Sequence, residues 1–410
     1  MVTSACRFCG QPLRLTFADL GSSPLANSYL EPEDLQKAEK FYPLHVYVCE
    51  SCFLVQLPEA ESPEAIFSDY AYFSSYSDSW LRHAESYARM AVERFGLGAE
   101  HRVIEIASND GYLLRFFKDR GVPVLGIEPA RNVAEAAEAL GIPTRVRFFG
   151  TEMARDLAAE GIRADLLVGN NVLAHVPGLN DFVQGLKTVL APQGVLTMEF
   201  PHLLRLMDEG QFDTIYHEHF SYLSFTTVRK VFAAHGLTLF DVEELPTHGG
   251  SLRIYARHDD DASKPVGERV DPLLEREALA GLGTPEAYRS FAERVRKIKR
   301  ELLRFLLQAK DEGRSIAGYG APAKGNTLLN YCGIRTDFLD YTVDRSPRKQ
   351  GRYLPGTRIP IHGPDRLRET RPDYVLILPW NLKEEIVEQM ADVRSWGGKF
   401  VVAIPEVRVL

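Results

Sequence analysis

Patterns typical of buried strands and of helices alternate along this chain of 410 residues, and this alternation constrains its fold more than any other feature. In the first half, helical patterns at 112–120 and 132–140 separate strand patterns at 101–107, 122–127, 164–169 and 194–200. A long charged helix is predicted over 285–311, and a second alternation begins at residue 314. Strands that alternate with helices form parallel sheets with crossover helices. The sequence therefore predicts an α/β fold with two such units.

The length and composition are those of a globular protein with two or three domains. Apolar residues make up 45% and charged residues 25% of the chain, and the net charge of −8 argues against a general nucleic-acid-binding protein. No apolar run is long enough to span a membrane. Residues 1–9 lack the apolar core of a signal peptide. We therefore expect a cytoplasmic protein with reduced cysteines and with neither a membrane nor a nucleic-acid partner.

Four of the five cysteines form two pairs with a gap of two residues, and these are Cys6, Cys9, Cys49 and Cys52. Such a gap lets both thiolates of a pair bind one ion, and two pairs complete the tetrahedron that Zn²⁺ prefers. No general base stands nearby in the sequence, so we predict a structural zinc site. Cys332 stands alone and is predicted to be a small buried hydrophobic residue.

The strand predicted at 101–107 carries Glu105 near its end and is followed by a turn of small residues that closes at Gly111. The turn lacks the three glycines of a dinucleotide fingerprint and the Lys-Ser/Thr of a P-loop. An acidic strand end repels a pyrophosphate but suits a sulfonium amino acid with a free ammonium group. Glu128, at the end of the next strand, can accept two hydrogen bonds from a ribose diol. The alternative is that both carboxylates only cap strand ends.

A third strand ends at Asn170 and Asn171, and His175 follows a few residues later. Ligands of such sheets bind at the carboxyl ends of the strands, so these side chains are predicted to face the same crevice as Glu105 and Glu128. A structural role for His175 remains an equal alternative.

The segment Tyr216-His217-Glu218-His219 concentrates groups that can move protons. Histidines two residues apart do not fit the helical zinc site, which needs a spacing of four. In an extended chain the two histidines would share one face, whereas in a helical turn the faces differ, and the sequence leaves both open. Proton abstraction fits the cluster: an imidazole takes the proton, a carboxylate orients it and a phenol stabilises the enolate.

The glycine-rich loop from Gly318 to Asn326 follows a predicted strand and opens a helix. A helix N-terminus together with Lys324 favours phosphate binding, and Asp344, after the next strand, could reach a ribose. Half of a dinucleotide-binding fold is the alternative interpretation, with NAD as the ligand, and Asp344 could also belong only to the scaffold.

Taken together, these motifs make the chain resemble, over its whole length, the sugar C-methyltransferases that act on nucleotide-linked keto-deoxysugars in deoxysugar and antibiotic pathways. The matching features are the two cysteine pairs, the aromatic run Tyr70–Tyr76, the turn 105–111, the segment 170–175, the Tyr216–His219 cluster and the loop 318–326. The resemblance implies a zinc-binding domain over 1–75, a class I Rossmann-like methyltransferase domain over 76–255, and a bridging helix with a C-terminal Rossmann-like nucleotide-sugar-binding domain over 256–410.

The resemblance also implies roles for individual residues. His219 would be the general base that removes a proton from carbon 3, next to a 4-keto group, while Tyr216, Glu218 and His175 support the enolate and Tyr70 approaches the sugar. The residues implied for S-adenosylmethionine are Glu105, Ala107, Asn109, Asp110, Gly111, Glu128, Pro129, Asn170 and Asn171. Those implied for the sugar nucleotide, of dTDP or GDP type, are Gly320, Ala321, Lys324, Asn326 and Asp344.

Two other functional classes remain as alternatives. A nucleotide-sugar or NAD-binding oxidoreductase or epimerase could use His219 and Tyr216 to move protons, although Asp110 argues against a pyrophosphate at the first turn. A zinc-ribbon interaction module on an inactive methyltransferase scaffold is opposed by the intact acidic turns and the intact proton-moving cluster. We expect a monomer.

Overall fold

The computed structural model describes residues 4–62, 66 and 73–410 of the chain. Its strands are β1 (Leu15–Ser23), β2 (Tyr42–Val48), β3 (Val55–Gln56), β4 (Val103–Ile106), β5 (Val124–Ile127), β6 (Thr144–Arg145), β7 (Ala164–Asn170), β8 (Leu190–Pro201), β9 (Ser221–Tyr222), β10 (Leu237–Leu245), β11 (Ser251–His258), β12 (Ile316–Tyr319), β13 (Thr342–Val343), β14 (Ile361–His362), β15 (Tyr374–Ile377), β16 (Lys399–Val402) and β17 (Arg408–Val409).

The α-helices of the described chain are α1 (Asp78–Phe95), α2 (Leu114–Lys118), α3 (Arg131–Ala139), α4 (Thr151–Ala159), α5 (Leu179–Val189), α6 (Leu203–Glu209), α7 (Phe225–Ala234), α8 (Val270–Leu279), α9 (Pro285–Asp311), α10 (Ala323–Cys332), α11 (Asp365–Thr370) and α12 (Lys383–Gln389). Helix α1 begins where the Ser77 side chain accepts a hydrogen bond from the backbone N–H of Trp80, and it ends at Gly96 in the left-handed conformation. These are the two capping devices that polar residues and glycine favour.

The described strands form sheets of four, seven and six strands. The central sheet has the order β10-β11-β8-β7-β4-β5-β6, in which β4 to β8 pair in parallel and β10 and β11 are antiparallel. The C-terminal sheet, β14-β13-β12-β15-β16-β17, is parallel apart from β17. The predicted α/β fold, with a class I Rossmann-like unit and a second Rossmann-like unit, is confirmed.

The N-terminal sheet, β1-β2-β3-β9, takes its last strand from far along the chain. In β9, Tyr222 lies opposite Val55 and Ser221 lies opposite Gln56 of β3. The catalytic candidates at 216–219 come directly before this strand. The pairing therefore fixes the turn that carries them against the N-terminal sheet.

Helix α9 begins at Pro285 and ends at Asp311, as the sequence predicts, and it packs along the N-terminal sheet. Its buried side chains recur every three or four residues, which gives it one apolar face. Phe17 of β1 stacks on Phe291 with ring centroids 4.4 Å apart. One hydrophobic core runs from this sheet through α9 into the C-terminal sheet, where Cys332 is buried. Helix α9 therefore connects the N-terminal and C-terminal sheets through its buried side chains as well as through the covalent chain.

None of the helices within the described ranges combines the length and the apolar character needed to cross a membrane.

Candidate active site

The four paired cysteines meet at one point, where their sulfur atoms all lie within 4.8 Å of one another. The Sγ atoms of Cys6 and Cys52 are 3.6 Å apart and those of Cys9 and Cys49 are 3.4 Å apart. Four thiolates around Zn²⁺ at bonds of about 2.3 Å would be separated by about 3.8 Å, so the arrangement fits the ion. The set leaves no position for a substrate, which agrees with the predicted structural role.

Backbone hydrogen bonds shape the two cysteine turns in the same way. The N–H of Gly10 donates to the carbonyl oxygen of Cys6, and the N–H of Phe53 donates to that of Cys49, both at 2.9 Å. Gly10 and Phe53 are left-handed, with φ of 74° and 64°. Repeating this geometry at both turns aims both thiolates of each pair at one centre.

A cavity of about 560 Å³ lies at the carboxyl ends of the central strands and extends to the C-terminal sheet. One wall belongs to the central sheet, one to the turn at 216–219, and one to the start of α10 together with Lys349. Asn27 and Tyr29 of the N-terminal domain also line it. A volume of this size suits a ligand of small-molecule dimensions.

Glu128 and the turn after β4 form the first wall. Both Glu128 oxygens accept backbone hydrogen bonds, one from Asn109 and one from Ala130, each at 2.9 Å. Burial is the largest influence on this carboxyl group and raises its pKa. Ala107, Pro129 and Asn170 complete the wall. The turn is therefore organised around a carboxyl group that lines the cavity.

Three residues of the predicted cofactor set do not line the cavity. Glu105 is fully buried behind the wall. Burial raises its pKa well above the ordinary value. Asp110 instead accepts hydrogen bonds from the N–H and hydroxyl of Ser75, at 3.1 and 2.5 Å. Gly111 is needed for its shape, because it has φ +77° and an added Cβ would lie 2.4 Å from Ile142.

Residues 216–219 form a tight turn, closed by a 2.9 Å hydrogen bond from the N–H of His219 to the carbonyl of Tyr216. The rings of Tyr216 and His219 come together, with centroids 4.0 Å apart, and both line the cavity with Glu218. His217 points the other way, and its Nε2 donates to the carbonyl of Pro43 at 3.2 Å. Of the two conformations left open by the sequence, the turn is correct, and it separates the two histidines.

The surroundings of His219 fix its tautomer. Its Nδ1 lies 2.7 Å from the carbonyl oxygen of Thr214, and because a carbonyl only accepts, Nδ1 carries the proton. Nε2 therefore keeps its lone pair. Burial, and then the nearby His175, hold the pKa of His219 well below its ordinary value. The ring of His175 packs edge-on at 4.7 Å, and burial lowers its own pKa to about 4. Both imidazoles are neutral at physiological pH.

Glu218 is buried beside these imidazoles and receives one hydrogen bond, at 2.7 Å, from the side-chain amide of Asn27. Burial raises the pKa of Glu218 to about 7, against the opposing effect of that hydrogen bond. The carboxyl group can therefore change its charge near neutral pH. The zinc-binding end of the chain thus contributes directly to the site through Asn27.

The third wall is basic. Lys324 lies in the first turn of α10, donates to Asn381 at 2.9 Å and sits 4.7 Å from the ring centre of Trp380. Burial lowers its pKa, and the carboxylate of Asp213 opposes that shift. Lys349 donates to the carbonyl of Ala321 at 2.8 Å and lines the same wall. Two lysines beside a helix N-terminus are a combination that suits an anion.

The other residues predicted for a sugar nucleotide support the loop and do not line the cavity. Asp344 accepts the backbone N–H of Ala321 at 2.8 Å. Asn326 is buried and donates to the carbonyl of Ala26 at 2.6 Å, which ties α10 to the N-terminal domain. Gly320 has φ +89°, and an added Cβ would lie 2.6 Å from Pro379.

Sequence patterns did not identify several residues that line the cavity, namely Asn27, Tyr29, Trp80, His248 and Lys349. They come from loops or helices far apart in the chain, and most of them belong to no motif. The His-Gly-Gly run at 248–250 is the exception, since a polar residue before two glycines signals a tight turn. Tyr70, predicted to approach the sugar, lies outside the described residues.

Three family models match consecutive parts of the chain. They are described as "Putative zinc binding domain" at residues 6–67, "Methyltransferase domain" at 80–242 and "C-methyltransferase C-terminal domain" at 246–405. The first model covers the four cysteines and the second covers the parallel strands of the central sheet, β4 to β8. The protein therefore binds zinc through its N-terminal cysteines and uses S-adenosylmethionine as its cofactor.

Among characterised proteins, the chain is 38% identical to the C-methyltransferase NovU of Streptomyces niveus over 408 residues, which cover 99% of this chain and 96% of NovU. Solved structures with partial similarity include an S-adenosylmethionine-dependent methyltransferase from Clostridium acetobutylicum (8% identity, 43% of this chain, 92% of that chain, TM-score 0.35). Another is the magnesium protoporphyrin IX methyltransferase ChlM from Synechocystis with bound SAH (15% identity, 43% of this chain, 82% of that chain, TM-score 0.34). From its near full-length similarity to NovU, the chain belongs to the family of S-adenosylmethionine-dependent C-methyltransferases.

Proposed function

We propose that this enzyme methylates carbon 3 of a nucleotide-linked 4-keto-deoxysugar, in a pathway of deoxysugar or antibiotic biosynthesis. The observation that carries the proposal is the state of His219. Its protonated Nδ1 donates a hydrogen bond to Thr214, so its Nε2 keeps a lone pair. The ring lines the cavity between the central sheet and the basic wall that contains Lys324. S-adenosylmethionine supplies an activated methyl group, so the protein needs only to make the substrate carbon nucleophilic and to align it.

In the proposed reaction, Nε2 of His219 takes the proton from carbon 3, next to the keto group. The electron pair of that C–H bond becomes the enolate, which then forms the new C–C bond as the methyl–sulfur bond breaks. Because burial lowers the pKa of His219, the imidazole is neutral and the lone pair of Nε2 is available to accept a proton. Tyr216, Glu218 and His175 surround the same ring and are the groups proposed to support the enolate, and Tyr70 is proposed to approach the sugar.

The nucleotide end is assigned to the basic wall. Lys324 and Lys349, together with the N-terminus of α10, are suited to a diphosphate of dTDP or GDP type. Gly320, Ala321, Asn326 and Asp344 hold the loop in shape. The domain over 256–410 would therefore bind the nucleotide, the domain over 76–255 the cofactor, and the domain over 1–75 the zinc.

The cofactor end is assigned to Glu128 for the ribose, with Ala107, Asn109, Pro129, Asn170 and Asn171 around it. Asp110 and Gly111 would act indirectly, by shaping the turn. Glu105, which is buried behind the wall, would also act indirectly by supporting this turn.

The test is deuterium uptake by a nucleotide-linked 4-keto sugar in heavy water, read by mass spectrometry, with methyl transfer measured in parallel. His219→Asn keeps the size and polarity of the side chain but removes the base, so both rates should fall by roughly 100- to 10,000-fold. Tyr216→Phe should slow both more mildly.

His235→Asn is the matched control, since His235 lies outside the cavity and bonds to Asn180. Uptake at the wild-type rate in His219→Asn would show that the base lies elsewhere. A hydride transfer to added NAD, seen as absorbance of the reduced cofactor, would instead favour the oxidoreductase alternative.

A further inference from the structure

The hairpin loop between β10 and β11 carries His248 into the wall of the cavity. His248 has φ 55° and ψ 18°, which is the left-handed region, and Gly249 and Gly250 follow with φ 91° and 115°. A left-handed conformation costs free energy in any residue with a Cβ, so a histidine kept there points to a role that glycine cannot fill.

Strained positions of this kind are concentrated at the cavity. In the described chain, Ala107, Asn109 and Asn171 also have positive φ, at 56°, 50° and 54°, and all line the same cavity as His248. Backbone strain clusters at sites where function fixes the geometry. His248 therefore belongs to a set of cavity residues held in unfavourable conformations.

The loop is fixed from both sides. The Thr247 hydroxyl donates to Glu199 at 2.8 Å, and Glu199 is itself buried and bonded to Arg253 at 2.9 Å. The Gln211 side chain donates to the carbonyl of Gly249 at 2.7 Å. A Cβ at Gly249 would lie 2.5 Å from the ring of Trp380. His248 is thus positioned by bonds that do not involve its own side chain.

The His248 imidazole is neutral and has one nitrogen available. The side-chain amide of Asn171 donates to its Nε2 at 2.9 Å, which leaves the proton on Nδ1. No hydrogen bond from any described residue reaches Nδ1. Burial, then the charge of Lys324, lower the pKa of His248 to about 4. His248 lines the same cavity as His175 and His219.

We propose that His248 is a further catalytic residue, whose Nδ1–H donates a hydrogen bond to the keto oxygen of the substrate and stabilises the enolate oxygen. This inference rests on the proposed function. The proton from the substrate carbon goes to His219, while His248 keeps its own proton throughout. A neutral imidazole suits this task because it polarises a carbonyl without adding a positive charge beside the base.

The test uses His248→Gly, since glycine accepts the left-handed backbone and removes only the ring. Deuterium uptake by the 4-keto sugar, measured without cofactor, and methyl transfer should both fall roughly 100-fold or more. The melting temperature should stay within about 2 °C of wild type, because relief of strain offsets lost packing. Added imidazole should restore part of both activities.

Two further variants complete the design. His248→Asn tolerates the same backbone and keeps an N–H donor, so it should retain more activity than His248→Gly. Arg371→Gly is the control, because Arg371 is also left-handed, at φ 48°, but is exposed at the end of α11. It should leave both activities at the wild-type level.

Wild-type uptake in His248→Gly would overturn the role of His248 and leave the proposed function standing. If His248→Gly takes up deuterium at the wild-type rate but binds S-adenosylmethionine more weakly, the proposed role is also overturned, because the ring would then contribute to cofactor binding. If the wild-type enzyme itself moves no deuterium into the sugar, the proposed function fails, and the assignment of His248 to a keto oxygen fails with it.

Discussion

Replacing Glu218 with glutamine should stabilise the protein at pH 8 and leave its stability nearly unchanged at pH 4.5 and below. Burial raises the pKa of Glu218 from 4.5 to about 7, so the folded protein binds this proton more tightly than the unfolded chain does. The stability that this proton contributes is complete below pH 4.5 and is lost as the pH rises to 7. A difference of about 2.5 pH units corresponds to about 3 kcal/mol. Glutamine is neutral at every pH and avoids that loss.

The measurement is the melting temperature of both proteins at several pH values between 4.5 and 8. For a chain of this length, about 3 kcal/mol corresponds to roughly 4 °C. The gain of Glu218→Gln should therefore grow from near zero to about 4 °C across this range. Asn27, which donates to Glu218 at 2.7 Å, can still pair with the glutamine oxygen. Methyl transfer should fall in the same variant, since the carboxylate is lost.

Glu388→Gln is the control, because Glu388 is exposed on α12 and should show no such gain at any pH. A gain in Glu218→Gln that has the same size at pH 4.5 and at pH 8 would refute the reasoning, because it would come from packing and not from a buried charge. A loss of stability at pH 8 would refute it equally.

Two further predictions concern the metal and the cofactor. Elemental analysis should find one zinc ion per chain, and Cys6→Ser should lower both the zinc content and the melting temperature before it alters the chemistry; zinc well below one per chain in the wild type would contradict this. Glu128→Ala should weaken S-adenosylmethionine binding by about 2–3 kcal/mol in calorimetry while sparing deuterium uptake, and unchanged affinity would remove Glu128 from the cofactor site.

The features that could be predicted from sequence are those whose cause is local. The gap of two residues between Cys6 and Cys9 is enough to predict that both thiolates bind one ion. The bounds of helix α9 follow from sequence because Pro285 favours a helix start and the apolar spacing persists to the end. The position of Glu128 directly after a strand is predictable because buried parallel strands are strongly apolar and end at the first charged residue.

The features that could not be predicted depend on contacts between distant segments. Asn27 reaches Glu218 across 191 positions of sequence, and no local pattern marks it. The orientation of Glu105 depends on which face of β4 is covered. His217 and His219 separate because the turn is closed by a single backbone hydrogen bond, which the sequence does not encode uniquely. Tertiary packing determines each of these contacts and side-chain orientations.

The late strand β9 has a consequence for how the chain reaches this structure. As the polypeptide leaves the ribosome, the four cysteines emerge early. The edge of β3 stays unpaired until Ser221 and Tyr222 of β9 have been synthesised. Closing so long a loop is entropically slow, and an unpaired strand edge invites association with other chains. A fragment that ends before residue 221 should therefore bind zinc and still aggregate. The N-terminal sheet and the turn at 216–219 are thus completed only after residue 222 has been synthesised.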